Sequence, residues 1–126
     1  MDLGLEGARA VISGGSQGIG LAVAKALIAE GATVQIGARR QGVLDSAVAE
    51  LAASGHASGY VCDVADYDAT VAWMQSAAES MGGIDIVVHN ATASGQGDGG
   101  PDSWRRNFEV DVLGMVGMSE GALPFL

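Results

Sequence analysis

The strongest constraint on this fold is a glycine-rich octet, Ser13-Gly14-Gly15-Ser16-Gln17-Gly18-Ile19-Gly20, set between two apolar segments of different period. Before it stands a continuous apolar run, Ala10-Val11-Ile12. After it comes Leu21-Ala22-Val23-Ala24-Lys25-Ala26-Leu27, so that Ile19, Val23 and Leu27 recur at four-residue spacing. A short unbroken run suits a strand buried on both faces, and four-residue recurrence suits a helix. The octet therefore reads as the turn between a buried strand and the helix after it. Glycines let a backbone approach an anion closely, and a helix N-terminus offers free N–H groups and a positive dipole end.

The same alternation runs along the whole chain. Strands are expected at residues 8–13, 33–38, 58–62 and 84–90, and helices at residues 18–30, 41–54, 67–81 and from Pro101 to near Pro124. Gly31, Gly55 and Gly82-Gly83 stop the first three helices, and Pro101 suits the first turn of the fourth. The second helix would bury Leu44, Val48 and Leu51, and the third Val71, Met74, Ala78 and Met81. Residues 93–100, rich in Gly, Ser and Asp, read as a loop. Strands alternating with helices predict an α/β fold, a Rossmann-like parallel sheet with helices on both faces. Right-handed crossovers give the order 3-2-1-4, with a switch point between strands one and four. Ligands bind at the carboxyl ends of strands beside such a point, which singles out residues 14–20, Arg39-Arg40, Asp63-Val64 and 90–94. No linker or repeat divides the chain, so residues 1–126 read as one domain.

Charge excludes several partners. Fifteen acidic residues against 6 basic ones give a net charge of −9, where nucleic acid or an anionic membrane surface would require a basic footprint. Hydrophobic residues make up 48% of the chain, yet their runs are short and interrupted, so no membrane span is expected. No basic segment with an apolar core opens the chain, so no secretory signal is expected. Cys62 is the only cysteine, which excludes an internal disulfide and makes a reducing cytoplasm the expected setting. No metal site is expected. Two arginine pairs, Arg39-Arg40 and Arg105-Arg106, are candidate anion sites in an acidic chain, with solvated surface as the ordinary alternative.

Three glycine motifs compete for the octet. A Walker-type phosphate loop requires Lys and Ser/Thr after its second glycine; Gly15 and Gly20 have the gap, but Leu21 and Ala22 follow. A hydrolase elbow is matched literally by Gly14-x-Ser16-x-Gly18, but it needs earlier strands to supply an oxyanion loop, and none precedes it. A dinucleotide loop is the third reading. Its common form is Gly-x-Gly-x-x-Gly, whereas Gly14, Gly18 and Gly20 give Gly-x-x-x-Gly-x-Gly.

That spacing resembles the short-chain dehydrogenase/reductase family, whose loop reads Thr/Ser-Gly-x-x-x-Gly-Ile-Gly. The resemblance spans the whole chain and implies a cofactor held by Ser13, Gly14, Ser16, Gln17, Gly18, Ile19 and Gly20. It also implies that Asp63 accepts from the adenine amino group, next to Val64. His89-Asn90-Ala91-Thr92 stands where the family has Asn-Asn-Ala-Gly, a segment that lines the cofactor ribose. Asn90 and Ala91 match. Thr92 puts a side chain where the family's glycine permits close approach, and His89 is expected to be a hydrogen-bonded strand-end histidine. The end of strand two holds Arg39 and Arg40 and no acid. An acid there would bind the 2′-hydroxyl of NAD, whereas a guanidinium fork suits the 2′-phosphate of NADP, so NADP(H) is expected over NAD(H).

The family transfers hydride between nicotinamide and a carbonyl or alcohol carbon, using a Ser and a Tyr-x-x-x-Lys pair. Lys25 is the only lysine, with Leu21 four residues before it, while Tyr60 and Tyr67 are followed at that spacing by Val64 and Val71. The expectation is therefore the cofactor-binding half of an NADP-dependent oxidoreductase, ending before strand five and inactive alone, whose full-length parent acts on a carbonyl or alcohol. Asp111 stands at the position of a family Asn that helps hold a water in a proton relay. Strand four would form an uncovered sheet edge. The helix over residues 102–122 belongs in the family to a dimer-forming bundle, so its Trp104, Phe108, Val112 and Met115 side is expected to be exposed and to support a homo-oligomer. The alternatives are a non-catalytic nucleotide-binding or subunit-interaction module and, more remotely, a serine hydrolase.

Overall fold

The computed structural model describes residues 1–93 and 97–126; Ser94, named above among the loops at the strand ends, lies outside them. Four parallel strands, β1 (Arg9–Ser13), β2 (Thr33–Ala38), β3 (Ala57–Val61) and β4 (Ile86–His89), form one sheet in the order β3-β2-β1-β4. Helices α1 (Gly18–Ala29), α2 (Gln41–Ala52) and α3 (Tyr67–Met81) are the crossovers. After β4 come α4 (Pro101–Asn107), a π-helical segment (Phe108–Leu113), α5 (Gly114–Ala122) and a 3-10 turn (Leu123–Phe125). The expected topology and strand order are present. So is the switch point, where β1 pairs with β2 on one side and with β4 on the other.

The sheet separates two apolar layers. Ala10, Ile12, Val34 and Ile36 face α1 and α2 through Ala24, Ile28, Leu44 and Leu51. Val11 faces the other way, onto Trp73, Met74, Ile84, Val110 and Met118. This alternation explains why β1 is apolar without interruption, since it is covered on both faces. Trp73 is fully buried and anchors its layer. Its indole Nε1–H donates to Gln35 Oε1 at 2.8 Å, and Gln35 Nε2 donates in turn to Ser58 Oγ at 3.1 Å. A glutamine inside a parallel sheet is thereby satisfied. The indole stacks on Tyr60 with ring centroids 6.0 Å apart.

The apolar stripe of α1 differs from the expected one. Gly20, Ala24 and Ile28 face the core, Val23 and Leu27 flank them half-buried, and Ile19 is 76% exposed. Gly20 sets this rotation: a Cβ there would lie 2.3 Å from the Gly14 carbonyl oxygen. The helix thus presents its smallest residue to the turn and rotates its apolar line by one position. Strand limits also shift by a residue or two. β4 begins at Ile86 because Asp85 is taken up by Arg9, whose Nε lies 2.9 Å from Asp85 Oδ2 and whose Nη1 donates to the Gly82 carbonyl at 2.6 Å. Ile84, expected in the strand, precedes it and is buried nonetheless.

The last helix is interrupted where a single one is expected. Its core-facing residues are Val110, Gly114, Gly117, Met118, Gly121 and Ala122, and the small ones let α5 close on α3. Trp104, Phe108, Val112 and Met115 are exposed by 71%, 53%, 40% and 49%, as expected of that side. Among the described residues, no helix is long and apolar enough to cross a membrane.

Candidate functional site

The carboxyl ends of the strands open into a cleft of about 380 Å³. Gly14, Ser16 and Gln17 line it from the β1 turn, Arg39 and Arg40 from the end of β2, and Cys62, Asp63 and Val64 from the end of β3. Asn90, Ala91, Thr92 and Ala93 line it after β4, and Arg106 and Val110 face it from the last helical region. Four loops distant in sequence thus meet at the switch point.

Beneath the cleft lies a polar node. Ser13, 1% exposed, accepts at Oγ from the backbone N–H of Asn90 at 3.0 Å and of Ala91 at 3.1 Å. Ser13 Oγ also shares a hydrogen bond with His89 Nδ1, 2.9 Å away; with both N–H groups on that oxygen, a neutral imidazole carrying its proton on Nε2 suits the contact. That nitrogen is buried, facing the Val110 and Asp111 backbone without reaching hydrogen-bond geometry. Burial pushes the imidazole pKa down, against the opposing pull of the Val110 and Asp111 backbone and the Asp111 charge. His89 is thus the hydrogen-bonded strand-end residue that was expected. Asn90 Nδ2 donates to the Gly14 carbonyl at 3.1 Å and so ties the two central loops together.

The glycine turn is shaped as a cradle. Gly14 sits at φ +66, and a Cβ there would lie 2.9 Å from Ala91 Cα. Both backbone conformation and space therefore demand glycine. A Cβ on Gly18 would meet nothing within 4 Å, so the loop is open at that point. Gly18, Ile19 and Gly20 form the first turn of α1, directly after Gln17. Among the described residues no side-chain cap bond is made at its N-cap, Gln17, and its first turn carries no acid, which leaves its leading N–H groups and dipole suited to an anion.

The arginines divide by role. Arg39 and Arg40 are exposed and form no salt bridge among the described residues. Arg105 pairs with Asp102 on the surface. Arg106 reaches Asp63 with two contacts, Nη1 to Oδ2 at 3.1 Å and Nη2 to Oδ1 at 3.2 Å. Asp63 Oδ1 also accepts from the Ala65 N–H at 3.0 Å. Burial alone would raise the Asp63 pKa. Hydrogen bonds from Arg106 and Ala65 and the charges of Arg106 and Arg39 outweigh it and hold the carboxyl below the usual range. Asp63 therefore both turns the chain and faces the cleft. The sequence makes Arg105-Arg106 a candidate anion site with solvated surface as the alternative; the fold instead pairs Arg106 with Asp63 and Arg105 with Asp102.

Two of the three departures from the family pattern, Thr92 and Asp111, meet each other. Thr92 Oγ1 donates to Asp111 Oδ2 at 3.0 Å, and Asp111 Oδ1 accepts from the Ala93 N–H at 3.0 Å. Asp111 thus holds the segment after β4 with both carboxylate oxygens. Cys62 is buried, and that burial pushes its thiol pKa up despite a contact with Thr70 Oγ1 at 3.8 Å. Among the described residues, no cluster of His, Cys, Asp and Glu is disposed to hold a metal.

Comparison with known proteins follows the same geometry. Residues 8–126 match the family described as short chain dehydrogenase. Isoepoxydon dehydrogenase of Penicillium expansum is 35% identical over 127 residues, covering 98% of this chain and 49% of that protein. Among solved structures, L-sorbose reductase from Gluconobacter frateurii complexed with NADPH and L-sorbose superposes with a TM-score of 0.89 at 34% identity, covering 98% of this chain and 49% of that one. A short chain dehydrogenase from Burkholderia cenocepacia in complex with NADP gives a TM-score of 0.89 at 35% identity, covering 97% of this chain and 52% of that one. The chain spans about half the length of the relatives it matches.

Proposed function

The chain belongs to the short chain dehydrogenase family, and we propose that it is the cofactor-binding half of an NADP-dependent oxidoreductase that reduces a carbonyl or oxidises a secondary alcohol. The observation that carries this reading is one cleft lined by the glycine turn before α1 and by two exposed arginines that, among the described residues, form no salt bridge. The turn suits a diphosphate. Its backbone comes close because Gly14 and Gly20 have no Cβ, and the first-turn N–H groups of α1 supply donors.

The residues present fit a 2′-phosphorylated dinucleotide. Ser16, Gln17 and the first turn of α1 would hold the diphosphate, and Arg39 and Arg40 the 2′-phosphate through forked donors. Asp63 and Val64 would receive the adenine, and Asn90, Ala91 and Thr92 the adjoining ribose. The dinucleotide, when bound, supplies the hydride. What this chain's residues contribute is grip and alignment: Ser13 and Asn90 lock the β1 and β4 loops together, and Asp111 with Thr92 fixes the segment after β4. Asp111 already accepts from two protein donors, so we assign it to holding that loop. No Tyr-x-x-x-Lys occurs in this sequence, and the chain alone is expected to be inactive. The NADPH and NADP complexes of L-sorbose reductase and of the Burkholderia cenocepacia enzyme support the cofactor assignment.

A second reading, a subunit-interaction module, is favoured by the exposed Trp104, Phe108, Val112 and Met115 side of the last helical region. The two are compatible: that side would form a homo-oligomer contact of the parent enzyme. A reducing cytoplasm suits the free, buried Cys62. Fluorescence titration of the 126-residue chain with NADPH tests the proposal. Saturable binding without turnover of carbonyl compounds is expected, and the absence of binding overturns it.

A further inference from the structure

Arg106 lines the cleft together with the two arginines assigned to phosphate and is engaged by a carboxylate instead. It lies on α4, a helix in which no residue is buried. Its side chain is nevertheless two-thirds covered, 31% exposed, where it meets Asp63 at the end of β3. The pair joins residues 43 positions apart in sequence and ties a helix without an apolar anchor to the wall of the cleft. Lysine offers a single point charge, whereas the planar guanidinium fork engages both carboxylate oxygens and so fixes the plane of the Asp63 carboxylate.

The acceptor count at Asp63 then becomes specific. An ionised carboxylate offers about four acceptor sites. On Oδ1, two are taken by Ala65 N–H and Arg106 Nη2; on Oδ2, one is taken by Arg106 Nη1. One site remains, on Oδ2. A donor arriving from the cleft finds a fixed, ionised acceptor there, and a second acceptor meets repulsion.

We propose that Arg106 is a positioning residue for the purine end of the cofactor: it latches α4 onto Asp63 and leaves one aligned carboxylate acceptor that selects a 6-amino over a 6-oxo purine. This rests on the cofactor reading above and adds the residue that sets base discrimination. An ordinary ion pair between exposed groups would contribute little and would not affect which base binds.

The test compares two probes, NADPH and its reduced hypoxanthine analogue, in which an oxo group replaces the 6-amino group. A hydrogen bond to a charged group corresponds to roughly a tenfold or greater preference, so the unaltered chain should bind NADPH more tightly by about that factor. Arg106→Leu should bring the ratio of dissociation constants close to one, and Arg106→Lys should leave it in between. Equal weakening of both probes, an unchanged ratio in Arg106→Leu, or a full ratio in Arg106→Lys each overturns the proposal. Amide exchange across residues 101–107, measured without cofactor, checks the latch separately. It should speed up in Arg106→Leu relative to α3, and unchanged exchange also overturns the proposal. If the unaltered chain binds neither probe while α4 exchange responds as expected, the cofactor reading fails and the latch alone stands.

Discussion

The hydroxyl of Ser13 and the imidazole of His89 are joined across the central strand pair, with Oγ 2.9 Å from Nδ1. The same oxygen accepts from the N–H groups of Asn90 and Ala91. One buried side chain thus satisfies three groups from the end of β4 and holds them against the glycine turn.

Ser13→Ala removes that acceptor and leaves the Asn90 and Ala91 N–H groups without it beneath the cleft. Each orphaned buried group costs about 1–3 kcal/mol, so urea denaturation should show a loss on the order of 2–4 kcal/mol. Ser13→Thr keeps the hydroxyl and should stay within about 1.5 kcal/mol of the starting chain.

His89 makes stability dependent on pH in a defined direction. Burial places its folded pKa below the unfolded value, which is about 6.5. Its contribution is therefore fully present above pH ~6.5 and falls away as the pH drops through the folded pKa, because the unfolded chain takes the proton first. Urea midpoints measured at falling pH should decrease through this window. His89→Asn, the family's residue at this position, should remove that part of the slope.

Trp73 holds its layer by shape and by one hydrogen bond. Trp73→Ala should cost about 3–5 kcal/mol, and Trp73→Phe about 1–3 kcal/mol, since Gln35 Oε1 then loses its donor. A Cβ on Gly37 would lie 2.3 Å from the indole ring, so Gly37→Ala should destabilise by a comparable few kcal/mol. Thermal denaturation of the three variants checks the order.

Gly20→Ala separates folding from binding. Its Cβ would lie 2.3 Å from the Gly14 carbonyl and 2.7 Å from Asn90 Nδ2, so the turn must shift. The folded state should lose about 1–3 kcal/mol and remain populated, while NADPH titration should show no saturable binding.

Much of this was legible in the sequence, because parallel strands buried on both faces leave unbroken apolar runs and their crossover helices leave four-residue stripes. Tyr67–Met81 and Thr33–Ala38 fall where the pattern puts them. The α1 stripe slipped by one residue because a hydrophobic pattern does not score Gly20 as a core residue, although close approach to Gly14 decides how the helix turns. The π-helical stretch Phe108–Leu113 carries no breaker residue that would announce it. Of the site, the loops at the strand ends follow from topology. The Arg106–Asp63 and Thr92–Asp111 pairs do not, because each joins side chains from separate elements and neither has a local signature.

The proposed cofactor site seats the 2′-phosphate of a dinucleotide on Arg39 and Arg40. The most direct measurement is the ratio of NADPH to NADH dissociation constants for the chain and for Arg39→Glu. The unaltered chain should prefer NADPH by roughly tenfold or more, the scale of a charge-assisted hydrogen bond, and Arg39→Glu should reverse the preference. An unchanged ratio in Arg39→Glu would contradict the claim.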